Sequence, residues 1–379
     1  MTKKKILVLT DHMPWGHRSI AKAIYGFLKT KEKEENWEVN YAEVKAELGV
    51  SNDIYTFICR YLPSTHRIAY KIGEAVVSRE RIVREISLKS MPGLKRAIDW
   101  YKPDLVISTY FIHSHCLAEL REKEKRNFKL WTVVADPRSI VSASYVSKAD
   151  LNLVYDQVGF LKGIKSGIEK DRILVTGWWV RKEMYQKFNR AEVRKKLGFK
   201  DDRPVVFVGG GSLGTNSLTK ILPALMLVNK KVGIIFNTGV DKVGYNLVEE
   251  YIKLFKKFGN DKVIIKNLGW IENMAEVLSA CDIVFGKAGP NFLFDVVAHQ
   301  IPFVAVTHVG GQEDGNLDLI KEKKLGWIKE KRNLTADFFL QFVDNPNKYL
   351  KMYQQGLKRE AERNEKTWEI IFNKVKEEL

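Results

Sequence analysis

One pattern restarts halfway along the chain, and that repetition constrains the fold more than any other feature. A short apolar run bounded by polar residues leads into a polar or glycine-rich loop, and then into an amphipathic stretch with helical spacing. In the first half the runs are KILVL at 5–9, WEVNYAEV at 37–44, DLVISTY at 104–110, KLWTVVAD at 129–136 and LNLVYD at 151–156. In the second half they are PVVFVGGGS at 204–212, VGIIFNTG at 232–239, KVIIKNLGW at 262–270, DIVFGKAG at 282–289 and PFVAVTH at 302–308. Such runs suit the interior of a parallel sheet, whose strands are covered on both faces. Their alternation with helices predicts two doubly wound α/β domains in tandem. A length of 379 residues also exceeds what a single core normally organises.

The seam is expected at about 175–203, where VTGWWVRKEM precedes a charged helix and KDDRP. The predicted domains are residues 1–177 and 178–345. A highly charged helical segment, 346–379, is expected to pack back across them. Nothing at the amino terminus resembles a signal peptide, and no run approaches the roughly 20 apolar residues of a spanning helix. Cys59, Cys116 and Cys281 are far apart and lack metal-ligand spacing, which fits a reducing cytosol and no bound metal.

Charge supplies the first functional clue. The net charge of +17 and pI near 9.5 favour polyanionic surfaces. Between Arg60 and Lys102 ten basic residues face four acidic ones, interleaved with Tyr61, Ile68, Tyr70, Ile82, Ile86 and Trp100. That mixture predicts an amphipathic surface segment for an anionic membrane, with Arg79, Arg81, Arg84 and Arg96 as contacts. The plainer reading pairs these arginines with Glu74, Glu80 and Glu85 on a solvated helix. No RNA-recognition or zinc-finger signature turns the charge into nucleic-acid binding.

In open α/β sheets, ligands bind beyond the carboxyl ends of the strands, so the loops there carry the chemistry. Gly209-Gly210-Gly211-Ser212 lets backbone N–H groups approach an anion, although such turns often serve packing alone. Lys287-Ala288-Gly289-Pro290-Asn291 places a proline to open a helix with a cation just ahead of it. Asp295 follows one turn later, either accepting from a ribose or lying on the helix surface. Gly310-Gly311-Gln312-Glu313-Asp314-Gly315-Asn316 gathers amides and carboxylates suited to reading hydroxyl groups.

LGWIENMAEVLSACDIVFGKAGP at 268–290, continuing to IPFVAVTHVGGQEDGN at 301–316, resembles the donor-binding half of the diacylglycerol glycosyltransferases. That family includes the monogalactosyldiacylglycerol synthases and the processive diacylglycerol glucosyltransferases, and is related to the peptidoglycan lipid II N-acetylglucosaminyltransferase. DHMPWGHRSIAKAI at 11–24, TVVADPRS at 132–139 and VTGWWVRKEM at 175–184 are similar to its first loop, acceptor-side segment and interdomain segment. The resemblance implies a GT-B fold, two Rossmann-like domains facing a cleft. It also implies an inverting transfer of a hexose from a UDP-sugar to the hydroxyl of diacylglycerol or glycosyl-diacylglycerol at the cytoplasmic membrane surface. The first domain would bind acceptor and membrane, and the second the UDP-sugar, which serves as co-substrate with no further cofactor.

By motif match, Gly210, Gly211 and Ser212 would border the diphosphate, and Ala288, Gly289 and Pro290 would line the phosphate turn. Gly269, Trp270 and Ile271 would hold the uracil. Gln312, Glu313 and Asn316 would contact the sugar and neighbouring groups. The chain has no Asp-x-Asp, which agrees with a metal-independent reaction. Charge on the departing diphosphate would then be met by backbone amides, helix dipoles and Lys287. The chain departs from the family in carrying Pro14-Trp15-Gly16 where consecutive glycines are usual. It also has Asn291-Phe292 in place of Gly-Thr, and the shorter Asp295 in place of a ribose-binding Glu.

An inverting transfer needs a base for the acceptor hydroxyl. The candidates are His17, which occupies the family's first-loop position, Asp11, which would orient or replace it, and Asp136. His113 and His115 flank a strand end and are further possibilities, whereas His299 and His308 read as structural. A UDP-sugar 2-epimerase of the same tandem fold, or a non-catalytic UDP-sugar or lipid-binding descendant, is the competing reading.

Overall fold

The computed structural model describes residues 3–12, 16–45, 85, 88–209, 215–259 and 261–379. They build two six-stranded sheets in which every neighbouring pair of strands is parallel. The first sheet consists of β1 (Lys4–Asp11), β2 (Trp37–Val44), β3 (Leu105–Ser108), β4 (Lys129–Val133), β5 (Leu151–Val154) and β6 (Ile173–Val175). Its strand order is β2-β1-β3-β4-β5-β6. The second has β7 (Val205–Gly209), β8 (Val232–Asn237), β9 (Val263–Asn267), β10 (Ile283–Lys287), β11 (Phe303–Thr307) and β12 (Gly326–Ile328), in the order β12-β11-β10-β7-β8-β9.

Helices alternate with the strands. In the first half they are α1 (Gly16–Lys31), α2 (Met91–Tyr101), α3 (Phe111–Lys123) and α4 (Gln157–Lys165). In the second they are α5 (Arg190–Lys196), α6 (Thr215–Ile221), α7 (Lys242–Lys257), α8 (Met274–Ser279), α9 (Pro290–Ala298), α10 (Asp314–Glu322) and α11 (Arg332–Asp344). The tail carries α12 (Pro346–Leu350), α13 (Gln354–Glu365) and α14 (Thr367–Glu378).

The unbroken apolar runs are strands for a physical reason. Ile6 to Leu9, Val205 to Val208 and Ile283 to Phe285 are all fully buried, as central parallel strands must be. Each such side chain contributes about 1.5–3 kcal/mol by leaving water. The two strands that sequence reading did not mark, β6 and β12, are sheet edges only three residues long. Runs that short carry no periodic signal.

By contacts the chain divides into two compact units. One comprises Met1–Lys182, Gly310–Gln312 and Arg363–Leu379, and the other Glu183–Val309 and Glu313–Glu362. Within the first unit, α14 is fastened by specific bonds. The Thr367 hydroxyl donates to the Thr176 carbonyl (2.8 Å) and Trp368 Nε1 to the Val180 carbonyl (3.0 Å). The Trp368 ring stacks on Phe27, with centroids 4.9 Å apart. Cys116 and Cys281 are buried free thiols.

Candidate active-site residues

A sheet whose strand order reverses opens a crevice at the reversal, beyond the carboxyl ends of the two strands. In the first unit these strands are β1 and β3, and the residues after them form one cluster. His17, on the first turn of α1, brings Nδ1 to 2.9 Å from the Thr109 carbonyl oxygen. A carbonyl only accepts, so Nδ1 carries the proton and Nε2 is left with its lone pair. The Thr109 hydroxyl lies 3.0 Å from the His17 carbonyl and 2.8 Å from Thr10 Oγ1, tying the α1 start to both strand ends.

The electrostatics keep this ring neutral. Burial lowers the His17 pKa from 6.5, with the Thr109 bond and the Asp11 charge opposing. Asp11, the last residue of β1, is 2% exposed. The Tyr110 ring meets His17 edge-on at 5.2 Å and His113 at 5.1 Å. His113 is fully buried, neither ring nitrogen has a hydrogen-bond partner, and burial, then His17, pushes its pKa down to about 3. His115 donates from Nε2 to the Ala143 carbonyl (2.9 Å).

Asp136 is part-buried, three residues past the end of β4. Its loop is fixed by Arg138, whose guanidinium makes a buried two-point bond to Asp156 (3.0 and 2.9 Å). Thr109 and Tyr110 were not singled out by sequence reading, because they sat inside a run read as strand. No signal within that run marks them, because β3 adjoins β1 only in the folded sheet.

In the second unit the reversal falls between β7 and β10, where Gly209 pairs with Gly286. The register between β10 and β11 slips after Gly286, a bulge that re-aims Lys287. Lys287 pairs with Glu313, whose other oxygen accepts from the Val309 N–H (2.7 Å). Asn316, 1% exposed, donates from Nδ2 to the Ala288 carbonyl (2.8 Å), while its buried Oδ1 has no hydrogen-bond partner. Pro290 opens α9, and Gly289 just before it sits against the ion pair. A Cβ on Gly289 would fall 2.8 Å from Lys287 Nζ and 3.2 Å from Glu313 Oε1.

The structure therefore gathers Lys287, Ala288, Gly289, Glu313 and Asn316 into one cluster. Asn291 and Asp295 are part-buried on α9. Gly269 has φ +55 and accepts from the Gly239 N–H (2.9 Å), and Trp270 beside it is 71% exposed. Ile271 is part-buried. Gln312 belongs to the Gly310–Gln312 stretch counted with the first unit. Gly210, Gly211, Ser212, Trp15, Arg79, Arg81 and Arg84 lie outside the described residues, and Arg96 is exposed on α2. Among the described residues no group of three or more His, Cys, Asp or Glu is placed to hold a metal ion.

Two doubly wound units, each with polar side chains assembled where its strand order reverses, define the GT-B fold class. The comparison with known families sharpens that class. The family model for monogalactosyldiacylglycerol (MGDG) synthase matches residues 17–180, and that for the glycosyltransferase family 28 C-terminal domain matches residues 205–367. Each model matches a little under half of the chain, and together they make its two halves an MGDG-synthase-type region followed by a glycosyltransferase family 28 C-terminal region.

The chain is similar to monogalactosyldiacylglycerol synthase 1 of Arabidopsis thaliana, with 26% identity over 360 residues, covering 89% of this chain and 65% of the relative. It is also similar to the processive diacylglycerol beta-glucosyltransferase of Bacillus pumilus, with 23% identity over 331 residues, covering 85% and 82% of the two chains. The fold matches the crystal structure of Medicago truncatula UGT71G1 complexed with UDP-glucose, with a TM-score of 0.64 at 12% identity, covering 99% and 98% of the two chains.

Proposed function

We propose that this protein transfers a hexose from a UDP-sugar to the hydroxyl of a lipid acceptor, diacylglycerol or a glycosyl-diacylglycerol, with inversion at the anomeric carbon. The observation that carries the reading is the His17 ring, fixed in the tautomer that leaves Nε2 bare and held neutral by burial. Such a group takes the proton of the acceptor hydroxyl as its oxygen attacks the anomeric carbon. The bond from that carbon to the diphosphate breaks on the opposite face, and UDP departs. Asp11, buried beside His17, stabilises the imidazolium that forms.

Donor recognition falls to the second unit. The Lys287–Glu313 pair, Asn316 and the start of α9 are the chemistry that a phosphorylated sugar nucleotide requires, since a helix N-terminus favours an anion. Asn316 Oδ1 is a buried acceptor suited to a sugar hydroxyl. The names of the relatives support a lipid acceptor, and the UDP-glucose in the structural neighbour supports the donor class. No helix among the described residues is long and apolar enough to cross a membrane. The reading therefore attaches the protein peripherally to the cytoplasmic face through its basic segment.

The test is incubation with UDP-sugars, with and without diacylglycerol micelles, followed by UDP assay and product mass analysis. Lipid-dependent UDP release supports the proposal. Isomerisation of the sugar without lipid would identify an epimerase, and neither outcome would leave a binding protein.

A further inference from the structure

His308 follows β11 and is bonded on both sides. Its Nδ1 lies 2.5 Å from Glu330 Oε1 and its Nε2 2.9 Å from Asp314 Oδ1, with only 12% of the side chain exposed. A neutral imidazole has one N–H, so one carboxylate would then face a lone pair. Only the doubly protonated ring satisfies both. The two carboxylates belong to different elements, for Asp314 is the first residue of α10 and Glu330 lies just beyond β12.

Between His308 and Asp314 runs the loop 309–313, which is closed a second time from inside by Glu313 on the Val309 N–H and on Lys287. We infer that His308 is a positioning residue: a charged pin that holds this loop, and with it Glu313 and Asn316, in place for the donor. The inference rests on the donor reading above for its consequence, but not for the pin itself.

Burial disfavours the charged ring, yet Glu330 and then Asp314 outweigh it, so the His308 pKa stands above 6.5. A raised pKa means that the stabilisation is complete below 6.5 and is lost as pH rises through the folded value. Among the described residues, Lys220 on α6, bonded to the Val306 carbonyl, interacts with Glu330 and with Arg332 at the start of α11, and the Lys287–Glu313 pair stands at the far end of the loop. Burial also lowers the pKa of Lys220, which makes it the competing source of any alkaline transition.

The test is amide hydrogen exchange of the full chain at about pH 6 and about pH 9, corrected for intrinsic rates. In the wild type, peptides covering 309–316 should exchange about tenfold or more faster at the higher pH, the size of one lost charged hydrogen bond. In His308→Gln they should exchange fast at both, while peptides covering α9 stay protected. Asp314→Ala, which keeps the histidine and removes its second partner, should behave in the same way and guards against misfolding of the first variant. A wild-type loop indifferent to pH overturns the pin, and a pH step that persists in His308→Gln assigns the transition to Lys220.

UDP titration of the same samples separates the two readings. Wild type should bind UDP more tightly than His308→Gln at the lower pH and equally at the higher. A loop step without any UDP binding retains the pin and discards the donor reading. UDP binding without a loop step does the reverse.

Discussion

His17 Nδ1 lies 2.9 Å from the carbonyl oxygen of Thr109, a residue 92 positions further along the chain. The bond joins the start of the first helix to the end of the third strand, and it decides which nitrogen of the ring is basic. His17→Ala should lower kcat by about 10²–10⁴-fold while UDP binding persists. Because burial lowers the His17 pKa, the acid limb of kcat/KM should lie below 6.5, since the base works only above its own pKa. Near-normal turnover in both His17→Ala and Asp11→Ala would move the base to Asp136.

Asp295, part-buried on α9, is the proposed ribose carboxylate. Asp295→Ala should weaken UDP by roughly 1–3 kcal/mol, the range for hydrogen bonds to charged groups. Calorimetry showing an unchanged affinity would mean that another carboxylate binds the ribose.

The Arg138–Asp156 pair tests stability instead of chemistry. Its side chains are 7% and 4% exposed, and Asp156 also caps α4 by accepting from the Val158 and Gly159 N–H groups. Arg138→Ala strands a buried carboxylate and should cost about 3–5 kcal/mol in urea unfolding. A loss below about 1 kcal/mol would show that Asp156 is satisfied without its arginine.

Activity should survive EDTA. The expectation comes from the absence of Asp-x-Asp and from the anion-favouring helix start at Pro290. A strict requirement for Mg²⁺ or Mn²⁺ would discard this part of the mechanism.

Changing Arg79, Arg81, Arg84 and Arg96 together to Glu should sharply reduce co-sedimentation with anionic liposomes and leave UDP affinity constant. Basic residues near an anionic surface contribute about 1 kcal/mol each, and high salt should weaken wild-type binding without abolishing it. Equal binding by wild type and variant would make the segment an ordinary solvated face and favour a soluble acceptor.

The sequence by itself determined the parts of this protein that local chemistry controls. Ile6 to Leu9 and Val205 to Val208 read as buried strands because parallel strands are apolar on both faces. Pro290 marked a helix start because its ring suits the first helical position. Edge strands β6 and β12 escaped because three residues pair only where a neighbour already exists. What tertiary structure alone decided are the partnerships of distant residues. Lys287, read as a free cation for a phosphate, is joined to Glu313 only because a bulge turns it toward the loop after β11. His308, read as structural, becomes a charged pin only because α10 begins, and β12 ends, beside it. Such pairings are set by strand order and register, and no pattern within a short stretch of sequence encodes which strand ends will meet.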